Sequence, residues 1–288
     1  PGGETVLGPA RLERALRTGR IDDLARAVER LERERTAGHW AVTRWWSFAT
    51  RATIDLARGD LVAAERSVDE AMAYGAKQAV ELTMPAAMLQ RFVLDWETGR
   101  FGRYHALLPS PEQDATPALA FARVFACIAV GDDRGARGTA DLLARPELMT
   151  SRPGAGAWPT TVSLAAHAAW ILGHAALGEI VLDALEDRPD AGLGVVGLCY
   201  LGSIGLARGL ARAATGRTDA VIDDLHAALD RETWFGGPIW IARAAIAAAG
   251  LHEHRDGPGD RDEAARLRRR AEEARATMTS PEDTVTPT

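Results

Sequence analysis

Residues 45–75 read WWSFATRATIDLARGDLVAAERSVDEAMAYG. Apolar or small residues recur every three or four positions on both sides of a single turn at Gly59-Asp60, the pattern of two amphipathic helices joined by a very short connection. Ala52 before the turn and Ala64 and Ala71 after it are small enough for the paired helices to approach closely, and the glycine relieves the tight turn between them. Working outward, the same grammar returns in AVGDDRGARGTADLLA (129–144), GLARAATGRTDAVIDDLHAAL (209–229) and GDRDEAARLRRRAEEA (259–274). Turn glycines stand at Gly19, Gly59, Gly99, Gly131, Gly173 and Gly216, and in a lengthened form at Gly257 and Gly259; the first six are spaced by 40 to 43 residues, with one step of 32. A fixed period in this range is the signature of stacked helical repeats.

The segments between the turns are rich in Ala, Leu, Arg and Glu with three-and-four apolar spacing, and no series of alternating β-branched strands interrupts them. The expected fold is all-α, a tetratricopeptide-like superhelix of about seven helical hairpins. It forms one domain over residues 1–278, followed by a flexible tail at 279–288. Loops are expected at 110–117, 144–159, 186–194 and 235–238, where Pro, Gly, Ser and Asp cluster.

Composition narrows the function classes. The chain has 288 residues, 47% hydrophobic and 26% charged, with a net charge of -6. An acidic chain is a poor electrostatic partner for phosphates, so direct nucleic-acid binding is not expected. Lys77 is the sole lysine and lies in AYGAKQAV, without the glycine and Ser/Thr spacing of a phosphate-binding loop. Cys127 and Cys199 sit far apart in apolar surroundings and read as buried, reduced thiols. With no charged-then-apolar leader and no apolar run of about 18 residues, the chain reads as cytoplasmic, with no membrane partner.

Motifs with catalytic or metal-binding precedent are weak. Gly192, Gly194 and Gly197 satisfy GxGxxG, but an acidic loop precedes them where a dinucleotide site needs a strand, so they read as a loop leading into a helix. His167 and His174 are seven residues apart, and His252 and His254 point to different faces of a helix. Ser163 with His167 does not make a catalytic pair on this pattern, and the acid pairs Asp22-Asp23, Asp132-Asp133 and Asp223-Asp224 read as helix caps or solvated groups. No catalytic residue, metal or cofactor is expected.

The aromatic residues carry more. Counting back from each turn glycine to the inward face of the first helix in each pair selects Trp46, Trp96, Phe121, Phe125, His167 and Trp170. Such a face either lines a groove for a small apolar molecule or an amphipathic peptide, or fills a tightly wound interior.

Four stretches, 45–75, 92–101 (FVLDWETGRF), 195–232 (beginning VVGLCYLGS) and 258–274 (PGDRDEAARLRRRAEEA), occur in an order and with a content that resemble the C-terminal tetratricopeptide-like region of actinobacterial LuxR-type regulators of the maltose-regulator class and of multidomain nucleotidyl cyclases. That resemblance spans roughly residues 40 to 278. It implies a regulatory or sensor scaffold, with an ATPase domain as a possible neighbour in the same polypeptide and transcription regulation as the setting. The alternative from a different class is a stand-alone enzyme or accessory protein of a biosynthetic pathway that uses the same cavity for a hydrophobic intermediate.

Overall fold

The computed structural model describes residues 4–33, 40–109, 117–149, 158–195, 198–216 and 219–279. The loop expected at 110–117 falls almost wholly outside these residues, as do 150–157 of the loop expected at 144–159 and the tail beyond Thr279; the described part of 144–159 is helical at Pro146–Met149 and from Trp158 on. Among the described residues the fold is all-α apart from two very short strands. The helices follow one another as α1 (Glu4–Thr18), α2 (Ile21–Arg33), α3 (Trp40–Arg58), α4 (Leu61–Lys77), α5 (Thr83–Glu97), α6 (Pro117–Ala129), α7 (Asp133–Leu143), the single turn α8 (Pro146–Met149), α9 (Trp158–Leu172), α10 (Ala175–Leu185), α11 (Ile204–Ala214), α12 (Asp219–Phe235), α13 (Pro238–Arg255) and α14 (Asp260–Ala276). Neighbours pack as antiparallel pairs around one hydrophobic core that runs from Leu12 in α1 to Ala271 in α14.

The turns explain the pairing. Gly59, Gly131 and Gly173 adopt left-handed φ angles of 74°, 75° and 60°. At each, the glycine N–H donates to the carbonyl three residues back (Leu56, Ile128, Trp170), and the next N–H to the carbonyl five back (Asp55, Cys127, Ala169). This six-to-one closure is the Schellman motif, which needs a residue without a Cβ penalty at the left-handed position. The residue after the glycine then caps the following helix: Asp60 accepts from the Ala63 N–H at 3.0 Å, Asp132 from Gly135 at 2.9 Å, and His174, through Nδ1, from Leu177 at 3.2 Å. Glycine plus cap thus ends one helix and starts the next within two residues, forcing a reversal.

The short step in the glycine spacing has a structural counterpart. After Gly99 the partner helix is replaced by a 3-10 turn, Arg100–Tyr104, because Gly102 and then Pro109 and Pro111 leave no room for a continuous helix. Asp95, fully buried on α5, anchors that turn by accepting hydrogen bonds from Arg100 (3.2 Å), Arg103 and Tyr104.

The array closes on itself. Helix α13 packs against α3, the Arg231 guanidinium on α12 donates to the Arg17 carbonyl at the end of α1, and Arg243 on α13 pairs with Glu97 on α5. A backbone seam completes the closure: the Thr279 N–H donates to the Gly59 carbonyl at 2.9 Å, the Leu61 N–H donates to the Thr279 carbonyl, and the Thr279 hydroxyl donates to Asp60.

The seam makes one glycine more demanding than its equivalents. A Cβ on Gly131 would meet nothing within 4 Å, whereas one on Gly59 would lie 2.8 Å from the Pro238 ring and 2.7 Å from Met278. Gly131→Ala is expected to cost about 1–2 kcal/mol from the left-handed backbone alone. Gly59→Ala is expected to cost at least about 1 kcal/mol more through overpacking. Urea denaturation of the two variants tests this ordering, and equal losses would contradict the packed seam.

Candidate functional site

The interior of the closed array is occupied by the chain itself. Residues 190–195 and 198–203, between α10 and α11, turn inward, with β1 (Gly192–Gly194) antiparallel to β2 (Tyr200–Ser203), Gly192 opposite Ser203 and Gly194 opposite Tyr200. This corrects the reading of the GxGxxG stretch as a loop leading into a helix. The glycines serve packing: a Cβ on Gly192 would lie 2.5 Å from the Leu16 carbonyl oxygen of α1, and one on Gly194 would lie 2.1 Å from the Leu16 side chain. Val196 and Gly197 lie outside the described residues.

Backbone placed inside a core must find hydrogen-bond partners there. Gln90 on α5 donates to the Leu198 carbonyl (2.8 Å) and to the Ala49 carbonyl of α3 (2.7 Å), and the Ser163 hydroxyl on α9 donates to the Leu201 carbonyl (2.7 Å). Glu232 on α12 accepts from the Tyr200 hydroxyl (2.8 Å) and the Ser203 N–H (2.7 Å). Tyr200 stacks on Phe235 at 3.8 Å and meets Trp240 edge-on. Burial pushes the Glu232 carboxyl up to about 7 and the Cys199 thiol up to about 12. Cys127 and Cys199 are both buried free thiols.

The residues singled out by inward spacing separate into layers around this hairpin. Trp46 and Phe121 are core residues, 6% and 0% exposed, and do not reach a cavity. Phe125 and His167 are buried behind Trp96, at ring separations of 4.5 Å and 5.2 Å. His167 lies between Trp96 and Trp240; its Nδ1 faces the Ser163 carbonyl at 2.9 Å, and its buried Nε2 has no hydrogen-bond partner among the described residues. Burial, reinforced by the nearby Arg243 cation, lowers its imidazole to about 3, so the ring is neutral.

Only Trp96 and Trp170 of the six line open space. They border a half-open cleft of about 620 Å³ together with Glu97, Arg243, Ile246, Arg275 and Met278, and with Leu61 and Thr279 from the seam. The Arg243 guanidinium lies 3.4 Å above the Trp96 ring and pairs with Glu97. A cation held over an aromatic face and neutralised by a carboxylate tolerates partial burial that a lone cation would not. Arg275 is exposed and makes no ion pair with the described residues. The inward-spacing argument missed Arg243, although a solitary cation in the otherwise apolar PIWIARAAIAAAG (238–250) is a visible signal.

Among the described residues two clusters of metal-ligating types also occur. His226, His252 and Glu263 form one, and His105, Cys127 and Asp132 the other. In the second, His105 stands 3.4 Å from Asp132, which is already engaged as the cap of α7, and Cys127 is buried with its thiol pushed up by desolvation. Among the described residues no helix is long and apolar enough to cross a membrane. No family model matches the chain, and no curated protein or solved structure matches it.

The raised Glu232 carboxyl has a consequence for stability. Between about pH 4.5 and 7 the folded chain binds this proton more tightly than the unfolded chain, so its contribution is complete below the ordinary value of 4.5 and is lost as pH rises through 7. His167, lowered from 6.5 to about 3, contributes a slope of opposite sign. Glu232→Gln removes the first and keeps the second. The Tm of the variant minus that of the wild type should therefore increase as pH rises from about 4.5 to 7, and a difference that stays constant by calorimetry would refute a protonated Glu232.

Proposed function

We propose that this chain is a cytoplasmic regulatory scaffold whose ligand site is the cleft between Trp96 and Trp170. The ligand we infer is a small molecule or peptide end with an apolar, largely aromatic body and a single negative charge. The body lies against Trp96, Trp170, Ile246 and Met278, and the anionic group reaches Arg275. The observation that carries this reading is the composition of the cleft: two tryptophans and aliphatic groups beside an arginine that makes no ion pair with the described residues. Concave sites with apolar walls and a few fixed polar groups are the usual form of small-molecule sites.

The regulatory part of the reading rests on where the cleft lies. Its walls come from α5, α9 and α13 on one side and from Leu61, Met278 and Thr279 on the other, so a ligand touches both edges of the seam. Binding there favours the closed array over an opened one by the difference in affinity for the two. This matches the sensor role implied by the likeness of residues 40 to 278 to the LuxR-type regulators with an ATPase module.

The probe that tests the cleft is anilinonaphthalene sulfonate, which has an aromatic body and one fixed negative charge. The folded chain is expected to bind it saturably. Trp170→Ala and Arg275→Ala are each expected to weaken binding by about tenfold, while Trp234→Ala, at an exposed position outside the cleft, leaves it unchanged. Equal affinity in all three variants, each shown by circular dichroism to be folded, would exclude this cleft.

A further inference from the structure

Three consecutive helices each send one metal-ligating side chain to the same point on the C-terminal flank: His226 from α12, His252 from α13 and Glu263 from α14. The Nε2 atoms of the two imidazoles are 3.1 Å apart, and Glu263 Oε1 lies 3.9 Å from the Nε2 of His226. The Nδ1 of His252 faces Asp260 Oδ1 at 2.7 Å. Asp260 is buried and held in place by Arg255 (2.8 Å) and by the Gly257 N–H (2.7 Å). An ionised carboxylate only accepts, so Nδ1 of His252 carries the proton and its Nε2 presents a lone pair to the cluster.

We propose that His226, His252 and Glu263 form a binding site for a divalent transition-metal ion of the zinc class. Two imidazole nitrogens and a carboxylate oxygen are the donor set that such an ion prefers, whereas calcium and magnesium favour oxygen ligands throughout. In a tetrahedral zinc site with bonds of about 2.0–2.1 Å, two nitrogen ligands stand about 3.3 Å apart, close to the separation already present. The buried Asp260 supplies what ligating histidines commonly have, a carboxylate on the far ring nitrogen that fixes the tautomer and the ring orientation. The side chains of His226 and Glu263 are 32% and 27% exposed, which gives an ion a path in and leaves a fourth position to water.

Ligation requires two local adjustments. His226 carries its proton on Nδ1, and Glu263 exchanges one of its bonds to Arg266, which grips both carboxylate oxygens at 2.8 and 2.5 Å. Arg266 therefore competes with the ion for the carboxylate. With an ion bound, α12, α13 and α14 are clamped together independently of any ligand in the tryptophan cleft. The cluster was not legible as a motif because its members come from three helices, and the neighbouring His254 that completes the His-Glu-His sequence takes no part.

The test uses the full chain, stripped with chelator and titrated with Zn²⁺ by calorimetry and with Co²⁺ by visible absorption. One equivalent of either ion is expected to bind, with tetrahedral d–d bands for Co²⁺ and a higher Tm for the Zn²⁺ form. His226→Ala and Glu263→Gln should each weaken binding by about tenfold or more, and Arg266→Ala should tighten it several-fold, an effect that a purely structural role for the cluster would not give. The proposal is overturned if neither ion binds the wild type. It is equally overturned if folded His226→Ala and Glu263→Gln retain wild-type affinity, or if the Co²⁺ form shows the thiolate charge-transfer band that would place the ion at Cys127.

Discussion

A ring of helices encloses a space, and the structure depends on how that space is filled. Here a segment of backbone fills it, and backbone in a dry interior is costly unless its N–H and C=O groups are paired. Gln90, Ser163 and Glu232, on three different helices, bind the carbonyls of Leu198 and Leu201, the N–H of Ser203 and the hydroxyl of Tyr200. Each of these side chains is at most 1% exposed; Gln90 keeps a second bond to the Ala49 carbonyl of α3, whereas the side-chain hydrogen bonds of Ser163 and Glu232 among the described residues all go to the hairpin. The helices thus need the hairpin as much as the hairpin needs the helices, and removing any one partner leaves an orphaned buried group, typically worth about 1–3 kcal/mol.

The same packing decides which aromatic residues remain available. The hairpin and its ring contacts with Trp240 and Phe235 occupy the centre, so Trp46, Phe121, Phe125 and His167 become core. At the end where α14 returns to the α3–α4 turn, the filling is incomplete. Arg243 is the reason in physical terms: its charge is accommodated by Trp96 and Glu97, and bringing apolar groups over it would add desolvation without adding a partner. Arg243 and Trp96, stacked on one another, line the cleft that is left.

Much of the architecture was legible because its causes are local. Gly59, Gly131 and Gly173 are required by a left-handed turn whose hydrogen bonds span only six residues, and Asp60 and Asp132 cap helices that begin at the next position. The step of 32 residues coincides with the place where a 3-10 turn, Arg100–Tyr104, follows the turn glycine, a correspondence that the spacing alone did not reveal. The hairpin was not legible, because LGVVGLCYLGS is apolar without alternation, and its two short strands are held by Leu16, Gln90, Ser163 and Glu232 from distant helices. Inward spacing found Trp96 and Trp170 but did not separate them from Trp46 and Phe121. Helical period reports which face points inward, and whether inward means core or cavity is set by what else occupies the centre.

The seam shows how little is needed to turn an open array into a closed one. Two backbone hydrogen bonds between Thr279 and the Gly59–Leu61 turn add the local closure to the broader packing of α13 on α3. A net hydrogen bond contributes about 1 kcal/mol, so this edge is weak beside the shared core and opens more readily than the helix pairs themselves. Its position between Leu61 and Met278 makes it the wall of the cleft and its least stable part at once. A ligand that bridges the two sides acts on an equilibrium that lies within reach of ordinary binding energies, whereas the hairpin-filled centre does not. The proposed ligand sensitivity would therefore act at this one edge of the ring.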